Sequence, residues 1–235
     1  MINIRELRFW TALLVVGLSV MAISSALPTL RFALAAQSAD PQTAAERLQA
    51  STNEPPVAPL ALRLMLVLAP PKAPAERVDA LQSLIGLTPM ASGAWLDLAI
   101  ARQQAGQPMQ DVASALALSS LTGPNEARFM AGRAVFGLAL WEKLPPDVRR
   151  GLIGDLVAGW GEVDDARRQE LNAILAVASD QTRAEIFAAL LLAGKPAEPI
   201  ISALDLAPEK PAPADAGGDG DKVLTPPQAG DVPKP

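Results

Sequence analysis

Apolar positions along this chain fall into two regimes. Residues 9–27 form one continuous apolar run without a charge. From residue 57 onward, apolar positions instead recur at three- and four-residue spacings and are cut by Gly and Pro. As a helix, the first run rises about 28 Å, close to the roughly 30 Å hydrocarbon core of a bilayer. A helix satisfies its own backbone polar groups, so such a segment is stable in lipid. Arg5 and Arg8 precede the run and Arg31 follows it. The excess of positive charge on the N-terminal side predicts a cytoplasmic N-terminus, with the remainder across the membrane. A cleaved secretory signal is the rival reading, because Ser24-Ser25-Ala26 and Ala33-Leu34-Ala35 are acceptable small-residue cleavage patterns. The apolar core of such a signal is shorter, about 7–15 residues, which favours an uncleaved anchor.

The second regime predicts helices at residues 57–69, 75–85, 89–105, 109–121, 125–142, 146–159, 163–179 and 181–192. Their punctuation has a chemical basis. Thr88-Pro89 offers an N-cap followed by proline at the first helical position. Gly106 stands where a C-cap glycine belongs, and Gly194 can end the last helix. Asp147 complements the helix dipole in a first turn, and Asp180 can cap the final helix. In the helix at 146–159, Val148, Leu152, Ile153, Leu156 and Val157 share one face, while Arg149, Arg150 and Asp155 lie elsewhere. The helix at 163–179 repeats the pattern with Val163, Leu171, Ile174, Leu175 and Ala178. Residues 134–141 are apolar nearly all round, which predicts a central helix. The chain therefore divides into a cytoplasmic stub (1–8), an anchor (9–27), a spacer (28–56) with one weak helical stretch at 44–49, an α-helical body (57–204) and a tail (205–235). The tail is rich in Pro, Gly and Asp and is expected to be disordered, because it has too little apolar surface to offset its chain entropy.

Composition narrows the chemistry. The chain has no Cys, His or Tyr. That excludes His-dependent nucleophile systems and removes the usual zinc and copper ligands, so no cofactor or metal is expected. The net charge of −5, without a basic stripe, gives no electrostatic basis for binding nucleic acid. Glu162, Asp164 and Asp165 cluster at a helix start, where the dipole explains them without catalysis. Asp219 and Asp221 lack the spacing and distal Glu of a calcium loop.

Two spacings point to repeats. Pro55 to Pro89 is 34 positions and Pro89 to Pro124 is 35. A helix pair follows each proline, and an aromatic follows Pro89 at Trp95 and Pro124 at Phe129. A period near 34 residues resembles tetratricopeptide repeats. Trp95, Leu98, Ala99 and Gly106 fit that pattern, whereas Ala115 and Leu118 stand where a bulky and a small residue are expected. The resemblance implies an all-α, helical-hairpin repeat domain, with a plain helical bundle as the alternative.

A second resemblance lies in Arg133, Trp141, Leu144 and Arg149: an Arg within one helix, Trp-x-x-Leu at its end and an Arg opening the next. This block resembles one in tetratricopeptide-like, singly anchored proteins encoded with bacterial exopolysaccharide and O-antigen machinery. The resemblance implies a periplasmic accessory role in surface-polysaccharide assembly, in keeping with a single-pass protein of the bacterial inner membrane whose body is periplasmic. The anchor, the spacing near 34 residues and the missing catalytic residue types together point to a non-enzymatic adaptor that binds another envelope protein, with those four residues as candidate partner contacts. The alternatives are a carboxylate-dependent enzyme acting on envelope glycans, through Glu162 or Asp165, and a structural subunit of a membrane complex.

Overall fold

A computed structural model describes residues 4–206, and the described residues form helices without a strand. The first helix, α1 (Ile4–Ala36), contains an apolar stretch, Trp10–Ala36, long enough to cross a membrane. That stretch is compatible with a single-pass anchor or a signal sequence. Its hydroxyls are satisfied within the helix: Ser19, Ser24 and Ser25 donate to the carbonyls of Val15, Met21 and Ala22 at 2.8–3.0 Å. The helix also continues through Pro28, nine residues beyond the predicted end of the run.

Residues 28–56, read from sequence as a spacer with one weak helical stretch at 44–49, are mostly helical. The end of α1 packs against α2 (Pro41–Ser51), and α2 packs against α3 (Ala58–Leu68). Asp40 caps α2 by accepting from the Thr43 backbone N–H at 2.7 Å. Leu48 and Ala61 are fully buried against Ala35 and Phe32. This small core fixes the segment, because even a short helix becomes stable once its apolar face is packed.

The body continues through α4 (Pro74–Leu87), α5 (Ser92–Gln104), α6 (Met109–Thr122), α7 (Ala127–Leu138) and α8 (Pro146–Gly159). It ends with α9 (Asp165–Val177), α10 (Asp180–Ala193) and α11 (Glu198–Ala203). The most extensive packing joins α5 to α6 and α7 to α8. Next-but-one helices also touch: α5 with α7, α7 with α9, α6 with α8, and α8 with α10. The alternation breaks at the end, where α10 packs chiefly on α8 instead of pairing with α9.

Several expected boundaries shift for local reasons. Thr88 ends α4 instead of capping α5, with its hydroxyl donating to the Leu84 carbonyl at 2.8 Å. Trp95 Nε1 binds the Pro89 carbonyl at 2.8 Å and holds Pro89 outside α5, which begins at Ser92. The helix expected over 125–142 stops at Leu138, and Trp141–Lys143 form a separate 3-10 turn. Ser179, not Asp180, caps α10, accepting from the Thr182 N–H at 3.2 Å. Gly106 (φ 67°) and Gly194 (φ 75°) do terminate helices, in a region a side chain rarely tolerates. Asp155, expected off the apolar face of α8, is buried at 5% exposure beside Leu152 and Leu156. The reason is its arginine partner, described below. Asp205 and Leu206 extend the body, Leu206 being buried, and the remainder of the expected tail lies outside the described residues.

Candidate partner-binding surface

The four residues singled out by the sequence separate into interior and surface positions. Arg133 is completely enclosed and all five of its N–H groups are used. Nε and Nη2 donate to the two Asp155 oxygens at 2.7 and 2.8 Å. Nη1 and Nη2 both reach the Gly123 carbonyl at 3.3 Å, and Nη1 also reaches the Ser119 carbonyl at 3.2 Å. Ser119 Oγ in turn donates to the Ser92 carbonyl, and Ser92 Oγ to Glu126. One guanidinium thus ties the ends of α5 and α6 to α7 and α8. A buried charge is tolerated only when paired and hydrogen-bonded in this way. Leu144 is buried too, packed with Leu140 and Leu152. Neither Arg133 nor Leu144 presents a surface to a partner.

Trp141 and Arg149 come together around a residue the sequence reading missed, Glu185 of α10. Trp141 Nε1 and Arg149 Nη1 donate to Glu185 Oε2 at 3.1 and 2.8 Å, and Arg149 lies 5.7 Å from the Trp141 ring centroid. Hydrogen bonds from Trp141 and Gln181 hold the Glu185 carboxyl below its ordinary range, and Arg149 adds to that effect. Next to it, Glu142 accepts from Ser179 and Thr182 at 2.7 Å, and those bonds lower its carboxyl as well. Together they dock the 3-10 turn on the start of α10. A hollow of about 680 Å³ opens beside this cluster, lined by Ile153 and Ala189, with the exposed Leu192 at its edge.

A larger groove of about 920 Å³ runs between α3, α4, α5 and α7. Leu66, Leu81, Leu84 and Phe129 supply apolar walls, while Leu60, Val67 and Met90 are exposed along it, Met90 at 71%. Arg63, Arg77 and Arg128 also line it. None of the three has a carboxylate within 4 Å among the described residues, and Arg77 Nε is buried without a hydrogen-bond partner. Arg128 instead stacks 4.9 Å from the Phe129 ring centroid. Asp97 opens into the same space. The surrounding walls displace enough water to raise its carboxyl above the ordinary range, and Arg77, Arg63 and Arg128 oppose that shift. Glu126 and Glu162 line the groove as well, with Glu126 already engaged by Ser92. Apolar walls, with donors that the fold leaves unused, suit a ligand that brings both apolar groups and acceptors. The individual arginines gave no local signal in the sequence, because α3, α4 and α7 carry them separately.

No protein-family model matches the chain, and neither a curated protein nor a solved structure matches it.

Proposed function

We propose that the protein is a membrane-anchored, non-enzymatic helical adaptor whose groove between α3, α4, α5 and α7 receives a segment of another envelope protein. The observation that carries this reading is the groove itself: about 920 Å³, apolar-walled, with three arginines that have no carboxylate within 4 Å among the described residues. The fitting segment combines apolar side chains with Asp or Glu, since guanidinium groups pair best with carboxylates. The alternating packing of α5 to α8 supports a tetratricopeptide-like reading of the body, and helical repeats bind partners through extended surfaces of this kind. On this reading α1 anchors the chain in the inner membrane and the body lies in the periplasm. A role in surface-polysaccharide assembly rests on the Arg133–Trp141–Leu144–Arg149 resemblance alone.

The test is site-specific photocrosslinking in cells from Met90, followed by mass identification. The reading requires one defined envelope protein whose yield falls several-fold in Arg63→Glu/Arg77→Glu. Absence of any adduct, or a yield indifferent to those changes, would sink it.

A glycan enzyme remains the second reading, because Asp97 and Glu162 line one groove and Asp97 is shifted toward the protonated form a general acid needs. Asp165, the other acid considered for that role, pairs with Arg168 at the surface instead. Asp97→Asn and Glu162→Gln separate the two readings. Both variants keep their Met90 adduct if the groove binds a partner, and both lose glycan turnover if it is catalytic.

A further inference from the structure

The end of α1 presents two faces with different fates. Phe32 and Ala35 pack into the small core with Leu48 and Ala61. About a third of a turn away, Leu27, Leu30 and Leu34 follow one another at helical spacing and stay exposed at 39%, 57% and 58%. Arg31 lies between these faces and reaches back to Glu54 of the body at 3.4 Å.

Length then decides what covers the leucines. The apolar stretch Trp10–Ala36 has 27 residues and rises about 40 Å, some 10 Å more than a bilayer's hydrocarbon core. Trp10 is a natural headgroup-level anchor at its beginning, as tryptophans are at membrane interfaces. Counting about 30 Å from Trp10 puts the far boundary near Leu30. A helix longer than the bilayer accommodates by tilting, on average about 20°. Docking of the body against the Phe32–Ala35 face leaves the leucine face as the side free to lean into lipid. Arg31 is then placed to run its aliphatic stem along that face while its head stays at the polar boundary.

We infer that Leu27, Leu30 and Leu34 rest in the acyl and headgroup boundary of the membrane, seating the helical body directly against the bilayer instead of leaving it on a spacer. The inference rests on α1 spanning the membrane and is independent of what the groove binds. The occupant is lipid and not a second copy, because the leucine face is continuous with the spanning stretch and lies within its excess length.

The chain has no cysteine, so single-cysteine variants carry a unique label. The full chain is reconstituted in phosphatidylcholine vesicles containing lipid with a nitroxide high on its acyl chain. Val16→Cys, Leu34→Cys and Leu192→Cys are each labelled with an environment-sensitive fluorophore. Val16 lies inside the span, and Leu192 is 90% exposed on α10. The expected result is strong quenching at positions 16 and 34, with position 34 quenched several-fold more than position 192. Quenching at 16 with none at 34 overturns the seat while leaving the anchor intact. No quenching at 16 removes the anchor reading itself. A disulfide-linked dimer of the unlabelled Leu34→Cys protein, together with shielding of the labelled position 34 from the nitroxide, assigns the face to a second copy and overturns the lipid assignment.

Discussion

Removing the Asp155 carboxylate is the sharpest test of how the body holds together. Asp155→Ala strands a guanidinium that has 0% of its side chain exposed and loses the acceptors of two of its five N–H groups. Breaking a buried ion pair from one side costs about 3–5 kcal/mol, because the remaining charge has neither water nor partner. At about 2–4 °C per kcal/mol for a body of this size, the unfolding midpoint falls by about 6–20 °C. The double variant Arg133→Met/Asp155→Leu removes both charges together. The Ser119 carbonyl still accepts from the Gly123 N–H at 3.1 Å, so only the Gly123 carbonyl is orphaned. One such group costs about 1–3 kcal/mol, so the double variant should be more stable than Asp155→Ala alone. The assay is thermal circular dichroism of the full chain in detergent micelles. If the double variant melts at or below Asp155→Ala, the claim that the cost comes from an unpaired buried charge is refuted, and side-chain packing must be the larger effect.

Three other outcomes follow from the geometry. A Cβ added at Gly159 would sit 2.7 Å from the Ala131 backbone nitrogen, whereas one at Gly151 meets nothing within 4 Å. By denaturant melts, Gly159→Ala should therefore destabilise by about 1–3 kcal/mol despite alanine's helix propensity, and Gly151→Ala should stabilise by about 0.5–1 kcal/mol. Glu142 has a folded-state carboxyl below its ordinary 4.5, so its contribution is complete above that value and is lost as pH falls through the lower folded value. Glu142→Gln should accordingly melt below the native chain at neutral pH and converge with it in acid, and a gap that widens on acidification would contradict the assignment. Trp141→Phe forfeits the Nε1–Glu185 bond, at about 0.5–1.5 kcal/mol, and also leaves part of the buried indole volume unfilled, so the loss should exceed the hydrogen bond alone, and equilibrium unfolding with an unchanged slope is the check.

What the sequence reveals about this fold is what neighbours along the chain decide. Helix order, the glycine stops at 106 and 194, and the central place of residues 134–141 all come from propensity, capping and period. Ala134, Val135, Leu138 and Trp141 are indeed buried. What escapes is set by contacts distant in sequence. Trp95 binding the Pro89 carbonyl moves a helix start by three residues, and Phe32 packing on Leu48 and Ala61 turns an apparent spacer into structure. The Glu185 that gathers Trp141 and Arg149 lies 44 and 36 positions away from them, out of reach of any local pattern. Arg133 and Asp155 show where the boundary falls. An arginine in the middle of an apolar helix requires a buried acidic partner, because an unpaired guanidinium cannot stay inside. Among the acids of α8, Asp147 lies in the exposed first turn, which leaves Asp155, three residues after Leu152 and four before Gly159. Spacing thus nominates the pair once α7 and α8 are known to touch. That contact depends on the close approach at Gly159, which only the folded chain displays.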